Sequence, residues 1–275
     1  MPELPEVETT RRGLLPHAVG QRLITAVVRD GRLRWPVPAD LAERVSDSSV
    51  IALERRAKYL LFRLAGDRGG QTLLVHLGMS GSLRLVDADA AADKHDHLDL
   101  VLGNGQAIRL RDPRRFGSVH LETGDAAGHF LLSKLGPEPL DPGFSDDHLF
   151  RLSRRRRVAV KDFIMNAHTV VGVGNIYANE ALFRARIHPF RQAGRVSEAR
   201  YLALTQAIRA VLAEAIEQGG TTLRDFVSGK GQPGYFAQKL AVYGRADQDC
   251  EGCGGPIRVQ RRGQRASFFC PVCQR

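Results

Sequence analysis

The four cysteines of this 275-residue chain constrain its fold more than any other feature. They form two Cys-x2-Cys pairs separated by sixteen residues at the carboxyl end, and they are Cys250, Cys253, Cys270 and Cys273. This spacing is typical of a structural zinc site with four thiolate ligands. Two disulfides are the alternative. Because no secretory signal precedes the first predicted helix, we expect a reducing compartment, which favours one structural Zn²⁺.

A β-hairpin is predicted between the cysteine pairs. Apolar and polar residues alternate over Ile257–Arg261 and Ala266–Phe269, on either side of a turn at 262–265. The cysteine pairs would hold the base of this hairpin and leave arginines at its tip. Phosphate binding is therefore favoured over a solvated charge cluster.

The composition favours a polyanionic partner. Lys and Arg number 40 against 30 Asp and Glu, which gives a net charge of +10 and a pI near 9.9. GC-rich genomes also raise the arginine content, so the charge alone does not identify nucleic acid. The length suits about two domains, and no apolar run approaches the roughly 20 residues of a membrane span. We expect a cytoplasmic protein that makes no membrane contact.

The amino terminus carries a candidate nucleophile. The small residue Pro2 permits removal of Met1, which would leave a secondary amine that can form an iminium with an aldehyde-level carbon. The reference pKa of such an amine is roughly 7.7 to 8, and the start of a helix lowers it. Leu4 and Val7 have helical spacing. If Met1 were retained, the Pro2 nitrogen would be an amide and could not react.

Two acidic residues follow on one face of this predicted helix. Glu3 and Glu6 are three residues apart, and Glu3 is adjacent to the amine, so a proton donor or acceptor lies beside the candidate nucleophile. Acidic residues are also common in the first turn of a helix. Taken alone, the pair favours the capping interpretation over catalysis.

A β-rich region follows the first helix. Its predicted strands are Arg22–Arg29, Leu33–Val37, Ser49–Arg56, Tyr59–Leu64, a strand beginning at Thr72, Leu98–Leu102 and Gln106–Arg111. Lys58 lies between two of these strands, and its position does not decide between a solvated turn lysine and a phosphate contact. His95 and His97 have no evident third metal ligand nearby, so we interpret both as solvated.

Two loops in this region are candidates for insertion into nucleic acid. Met79 lies in a glycine-bounded break after a strand, which favours an exposed wedge over core filling. The segment Asp112–Gly117 combines two arginines with Phe116. Such a basic and aromatic tip suits insertion into a groove, but a Phe116 buried under the turn is equally compatible with the residues alone.

The second half of the chain is predicted to be helical. Three prolines and two glycines mark a linker at Leu135–Gly143. The predicted helices are Ser145–Arg154, Ala159–Met165, Ile176–Arg184 and Ser197–Glu217. The glycines of Val170–Tyr177 precede a helix whose free N–H groups could clamp a DNA backbone. The polar segment Thr221–Phe236 is either a mobile lid or a linker to the cysteine module.

Taken together, these segments resemble the bacterial formamidopyrimidine-DNA glycosylase family, from the first residue to the last few. The motifs that carry the resemblance are Met1–Glu8, Arg56–Leu60, His76–Gly81, Asp112–Gly117, Gly172–Glu180, Pro233–Phe236 and the four cysteines. The family repairs DNA by removing oxidised purines and then nicking the strand.

The resemblance implies an α+β multidomain protein. A catalytic N-terminal β-sandwich flanked by helices would span 1–134, followed by a linker at 135–143. A helix-two-turn-helix domain with a lesion-recognition loop would span 144–235, and a C-terminal zinc-finger β-hairpin 236–275. The implied partner is double-stranded DNA that contains oxidised bases or abasic sites, bound by a monomer in the cleft between lobes.

The resemblance also assigns roles to residues. It implies that Pro2 attacks C1′ of the damaged nucleotide, that Glu3 is the general acid and proton shuttle, and that Glu6 supports it. Lys58 and Arg265 are implied to contact phosphate and to assist catalysis. β- and δ-elimination would then cut the strand on both sides of the abasic sugar.

Three further residues are implied to fill the space left by the flipped nucleotide, namely Met79, Arg114 and Phe116, with Arg114 pairing with the orphaned cytosine. DNA contacts are also implied for His76, Lys161, Asn175 and Tyr177.

The related endonuclease VIII type, which prefers oxidised pyrimidines, usually has glycine where this chain has Leu4. A zinc-finger DNA-binding protein without catalysis would explain the charge and the cysteines but not Pro2 and Glu3.

Overall fold

The computed structural model describes residues 2–219 and 240–275. Among these residues, contacts define two compact units, one of residues 2–133 with 218–219 and the other of residues 134–217 with 240–275. Within the described ranges we find no helix with the length and apolar character needed to cross a membrane.

The first unit is a β-sandwich with two helices. One antiparallel sheet has the strand order β1-β6-β7-β5 and the other has the order β2-β3-β4-β8. The strands are β1 (Leu23–Val28), β2 (Ser49–Arg56), β3 (Tyr59–Ala65), β4 (Gln71–His76), β5 (Ser82–Asp87), β6 (Asp96–Leu102), β7 (Gln106–Arg111) and β8 (Ser118–Thr123). The helices are α1 (Leu4–Ala18) and α2 (Leu41–Val45), and a 3₁₀ turn follows at Ala126–Gly128.

A single hydrophobic core joins the two sheets and α1. Leu and Val side chains from both sheets point inward, and α1 contributes Val7, Leu14 and Ala18 at helical spacing. These residues are almost completely buried. The ends of β4 and β7 are therefore attached to a rigid core, and the loops that follow them start from fixed positions.

The second unit is helical and ends in a two-stranded hairpin. Its helices are α3 (His148–Ser153), α4 (Val160–Ile164), α5 (Asn175–Arg184) and α6 (Glu198–Glu217), with a 3₁₀ turn at Ala193–Arg195. The hairpin strands are β9 (Arg258–Arg262) and β10 (Arg265–Phe269). α5 packs against both α6 and β10, so it connects the helices to the hairpin.

Most of the predicted elements are present, with ends shifted by a few residues, but one predicted strand is wrong. Over 33–37 the described chain has only an isolated bridge from Arg32 to Pro36. Pro36 and Pro38 lack the N–H groups that a continuing ladder needs. The short helix α2 and the strands β5 and β8 were not predicted.

The predicted linker at 135–143 packs against the second unit. Gly136 donates its backbone N–H to the Ala167 carbonyl (2.8 Å), and Val171 donates to the Pro137 carbonyl (3.2 Å). The four-segment division of the chain stays a prediction. The prediction of a lid or linker at Thr221–Phe236 lies outside the described residues.

Candidate functional site

The amino-terminal stretch is held against the first unit. Pro2 is buried, and α1 begins two residues later at Leu4. Glu3 is the N-cap of α1 and forms a capping box with Glu6. The Glu3 backbone N–H donates to the Glu6 carboxylate at 2.8 Å, and both side chains are almost fully buried. A carboxylate is therefore fixed beside the candidate nucleophile at the positive end of a helix.

Lys58 lies in the tight turn between β2 and β3. Ala57, the other turn residue, has a φ of +53°, and Arg56 pairs with Tyr59 directly across the turn. Lys58 is half-buried. Burial, together with the nearby positive charges of Lys58 and Arg34, lowers the pKa of His76 to about 4. The structure thus brings the predicted residues Lys58 and His76 close together.

His76 is the last residue of β4, and its neutral ring has a defined proton. Its Nδ1 accepts a hydrogen bond from the backbone N–H of Gly78 at 3.0 Å. At neutral pH the ring proton must therefore be on Nε2, which leaves a donor for an oxygen of a ligand. The ring also lies 4.7 Å from the ring of Tyr59, centroid to centroid.

Met79 and Phe116, the two apolar residues predicted to insert into nucleic acid, line a cleft of about 410 Å³. Its walls include Met79 and Phe116 together with Arg34, His76 and Gly78. Met79 is 38% exposed and Phe116 is 43% exposed, so the interpretation of Phe116 as a buried core residue is wrong. Both apolar side chains are available to replace lost base stacking.

The two arginines beside Phe116 have different surroundings. The Arg114 guanidinium lies 4.8 Å above the Phe116 ring. Arg115, which has a φ of +56°, forms an ion pair with Asp30 at 2.8 Å. Arg115 therefore anchors the loop, whereas Arg114 is exposed next to the wedge.

Sequence reasoning missed Arg34. Its backbone N–H donates to the Gly117 carbonyl at 3.0 Å, and its guanidinium lies 4.6 Å above the Trp35 ring. The side chain is exposed and reaches the cleft. The signal that could have found it is the pair of arginines next to the only tryptophan of the chain.

The interpretation of His97 as a solvated histidine is wrong. β6 begins at Asp96, which places His97 in the sheet with 1% exposure. Its Nε2 lies 2.9 Å from the carbonyl oxygen of Asp112. His97 thereby supports the start of the loop that carries Arg114 and Phe116.

In the second unit, two predicted side chains bind the same carbonyl group of β10. The Asn175 side-chain nitrogen donates to the Ala266 carbonyl at 3.1 Å. The Lys161 ammonium donates to the same oxygen and to the Ser267 hydroxyl, each at 2.8 Å. Arg265 precedes this peptide and is exposed. The first residue of α5 is therefore hydrogen-bonded to β10 at the residue that follows Arg265.

Tyr177 and Lys161 are almost completely buried, at 1% and 3% exposure. Direct contact of their side chains with DNA does not fit this burial.

α5 also carries two residues that sequence reasoning did not assign. Asn179 accepts the Phe268 backbone N–H at 2.8 Å, and Glu180 accepts backbone N–H groups of residues 241–243. Burial raises the pKa of Glu180.

The four cysteines form a cage for one metal ion. Their Sγ atoms all lie within 4.8 Å of one another. The Sγ–Sγ distance is 3.9 Å for Cys250 and Cys273 and 3.5 Å for Cys253 and Cys270. A disulfide requires about 2.05 Å, so the disulfide interpretation is wrong. A tetrahedral ion with metal–sulfur bonds of about 2.3 Å places its sulfurs about 3.8 Å apart.

These features define a class of protein with three parts. The parts are a β-sandwich with a cleft that is lined by Met79 and Phe116 and suits DNA, a helical unit, and a hairpin with four metal-binding cysteines. The comparisons specify the family. Residues 1–119 match the formamidopyrimidine-DNA glycosylase N-terminal domain, and residues 135–227 match the H2TH domain of the same enzymes. The chain belongs to the formamidopyrimidine-DNA glycosylase family, the DNA glycosylases of base excision repair that also have AP lyase activity.

Individual relatives cover the whole chain. The formamidopyrimidine-DNA glycosylases of Stutzerimonas stutzeri and Halorhodospira halophila are 60% and 59% identical over 275 residues, which is 100% of both chains in each pair. The solved structure of MutM (Fpg) from Thermus thermophilus is 40% identical, with a TM-score of 0.88 over 99% of this chain and 98% of that one. Lactococcus lactis Fpg in complex with DNA containing an abasic site is 33% identical, with a TM-score of 0.92 over 99% of each chain.

Proposed function

We propose that this chain acts as a monomer that excises oxidised purines, 8-oxoguanine and formamidopyrimidines, from duplex DNA and then nicks the strand. The observation that carries the proposal is the fixed position of Glu3 beside Pro2, held by the hydrogen bond from the Glu3 N–H to Glu6. The solved complexes of Lactococcus lactis Fpg with abasic-site DNA support the choice of ligand.

Pro2 is the proposed nucleophile once Met1 has been removed. Its nitrogen bonds to C1′ of the damaged nucleotide as the bond from C1′ to the base breaks, and the departing base takes up a proton. Glu3 moves protons between the sugar and solvent, and Glu6 keeps Glu3 in place. The C1′–O4′ bond then breaks as O4′ takes a proton from Glu3, which opens the sugar ring and leaves an iminium between Pro2 and C1′. Loss of a C2′ proton permits β-elimination of the 3′ phosphate, and δ-elimination then releases the 5′ phosphate.

Cationic and donor groups of both units are proposed to bind phosphate. In the first unit, Lys58 supplies charge and His76 supplies the Nε2–H donor. In the second unit, Asn175 contributes from the start of α5, where it is hydrogen-bonded to Ala266, and Arg265 contributes as an exposed cation of β10. The family resemblance supports a catalytic contribution from Lys58 and Arg265.

The exposed residues of the cleft are proposed to fill the space left by the flipped nucleotide. Met79 and Phe116 replace stacking, and Arg114 pairs with the cytosine that has lost its partner. Extrusion of a nucleotide costs a few kcal/mol, part of which these contacts offset. Lys161 and Tyr177 are proposed to support the DNA interface indirectly. Lys161 does so through its hydrogen bonds to β10, and Tyr177 as a buried residue of α5.

The metal is proposed to be one structural Zn²⁺. The donors are four thiolates in a closed cage, which suits zinc and leaves no open position for substrate. The ion would hold the base of the β9–β10 hairpin and take no part in the reaction. The cysteines hold the base of the hairpin, whose tip carries Arg262 and Arg265 at directly paired positions.

Cleavage of defined duplexes tests the proposal. We expect 8-oxoguanine opposite cytosine to be cut in preference to thymine glycol, with phosphate on both new ends. Glu3→Gln should lower base excision by about 10² to 10⁴. The matched control is Glu43→Gln, which changes an exposed acid of α2 and should leave excision unchanged. A preference for thymine glycol would indicate the pyrimidine-specific activity, and binding without cleavage would leave only a DNA-binding protein.

A further inference from the structure

The three proposed space-filling residues lie on two loops, each of which connects a strand of one sheet to a strand of the other. Met79 is on the Met79 loop, residues 77–81, which follows β4. Arg114 and Phe116 are on the Arg114 loop, residues 112–117, which follows β7. A void in duplex DNA has a fixed size, so the distance between the two loops decides whether all three side chains fit it together.

One buried carboxylate connects the two loops. Asp112 is fully buried, and its Oδ2 accepts the backbone N–H of Gly117 at 2.7 Å. Its Oδ1 accepts the hydroxyl of Ser80 at 2.9 Å and the backbone N–H of Arg114 at 3.3 Å. Two of these hydrogen bonds shape the Arg114 loop internally, and the third, from Ser80, links it to the Met79 loop.

Backbone contact at a glycine reinforces this link. Gly78 has a φ of +64°, and a Cβ there would lie 2.4 Å from both the Gly117 nitrogen and the Phe116 carbonyl carbon. The two loops therefore touch through their main chains on one side of Met79. The hydrogen bond from Ser80 to Asp112 holds them on the other side.

We propose that Ser80 and Asp112 are positioning residues that set the spacing of Met79 relative to Arg114 and thereby determine how strictly the enzyme requires cytosine opposite the lesion. This inference rests on the proposed function. Arg114 can pair with the orphaned base only from a defined position. If the hydrogen bond to the Met79 loop is lost, the Arg114 loop can shift. The preference of Arg114 for cytosine over other bases opposite the lesion then decreases.

Ser80→Ala is the sharpest variant, because it removes the link between the loops and leaves the hydrogen bonds from Gly117 and Arg114 to Asp112 intact. The matched control is Ser118→Ala. Ser118 is also buried, at 1% exposure, and its hydroxyl has no hydrogen-bond partner among the described residues. Both substitutions delete one buried hydroxyl close to the same loops.

The measurement is single-turnover excision of 8-oxoguanine opposite cytosine and opposite adenine. We expect Ser80→Ala to reduce the cytosine-to-adenine rate ratio about threefold to tenfold, the range that one hydrogen bond can supply. Asp112→Asn should reduce the ratio as well, and the double variant should lose little more than Asp112→Asn alone, because the hydrogen bond from Ser80 is one of those that the Asp112 substitution already disturbs. Ser118→Ala should keep the wild-type ratio.

A second substrate separates this inference from the proposed function. Borohydride trapping on a single-stranded oligonucleotide with an abasic site needs no orphaned base, so Ser80→Ala and wild type should trap equally. If the wild type traps nothing, the proposed function fails. If trapping is normal but Ser80→Ala and Ser118→Ala have the same rate ratio, the positioning role is contradicted. A Ser80→Ala protein that does not fold contradicts it too, since the hydroxyl would then serve the fold.

Discussion

Arg262 and Arg265 lie directly opposite each other at the tip of the β9–β10 hairpin. Both side chains are exposed, and the turn between them includes Gly263 with a φ of +58°. Like charges at directly paired positions destabilise a hairpin, so this arrangement is favourable only when an anion lies between or above the two guanidinium groups.

The first prediction concerns Arg262, a tip arginine to which the family resemblance assigns no role of its own. We expect Arg262→Ala to weaken duplex binding and to reduce the slope of log affinity against log salt by about 1, as loss of one phosphate contact does. The free protein should be slightly more stable to heat. Arg151→Ala, on the exposed face of α3, is the control for binding. A salt slope unchanged by Arg262→Ala would show that the residue is not a phosphate contact.

The second prediction separates the neighbours Arg114 and Arg115. Arg114→Ala should lower excision opposite cytosine while leaving the melting temperature unchanged, because the Arg114 side chain is exposed and its guanidinium lies over the ring of the equally exposed Phe116. Arg115→Ala removes the ion pair with Asp30 and should cost up to about 1 kcal/mol of stability. Urea unfolding and single-turnover kinetics measure the two effects. Equal loss of activity in both variants, without loss of stability, would contradict this division of roles.

Local sequence patterns predicted much of the site correctly. The β2–β3 hairpin around Lys58, the cysteine cage and the exposure of Met79 each depend on residues close together in the chain, where spacing and glycine placement are informative. The helices α5 and α6 have strong periodicity and were located to within one residue of their observed starts.

The rest depends on contacts between distant residues. Ser80 meets Asp112 across 32 positions, and Arg34 reaches the Gly117 carbonyl across 83. The local pattern of apolar and polar residues predicts neither contact. His97 was misassigned for the same reason, because its burial comes from the neighbouring strand and from the Asp112 carbonyl rather than from its polar surroundings in sequence.

The third prediction concerns pH. Burial lowers the pKa of both His76 and His120 to about 4, with nearby positive charges and histidines adding to the effect. The unfolded chain, with histidine pKa values near 6.5, then binds more protons than the folded chain between about pH 4 and 6.5. Stability should therefore fall as the pH decreases through this window and should level off, for these two groups, below pH 4.

Urea unfolding at pH 7.0, 5.5 and 4.5 measures this dependence. His120→Gln should reduce the loss of stability between pH 7.0 and 4.5, since a neutral amide takes up no proton. His17→Gln, in the last turn of α1, is the control. An identical pH dependence in His120→Gln and in the wild type would contradict the assigned cause.

The fourth prediction concerns the metal. Native mass spectrometry should find one zinc ion per chain, and Cys253→Ser should weaken its retention. Removal with a chelator should lower duplex affinity, because β9 and β10 lose the support of the cage, and added Zn²⁺ should restore it. Full duplex affinity in metal-free protein would show that the hairpin does not need the ion.

The amino group of Pro2 provides the most direct test. A variant with one glycine inserted before Pro2 keeps every side chain but turns the proline nitrogen into an amide. Wild type whose mature amino terminus is confirmed by mass spectrometry to be Pro2 should form a borohydride-stable adduct with duplexes containing 8-oxoguanine or an abasic site, and the glycine variant should form none. Equal adduct formation by both proteins would contradict Pro2 as the nucleophile.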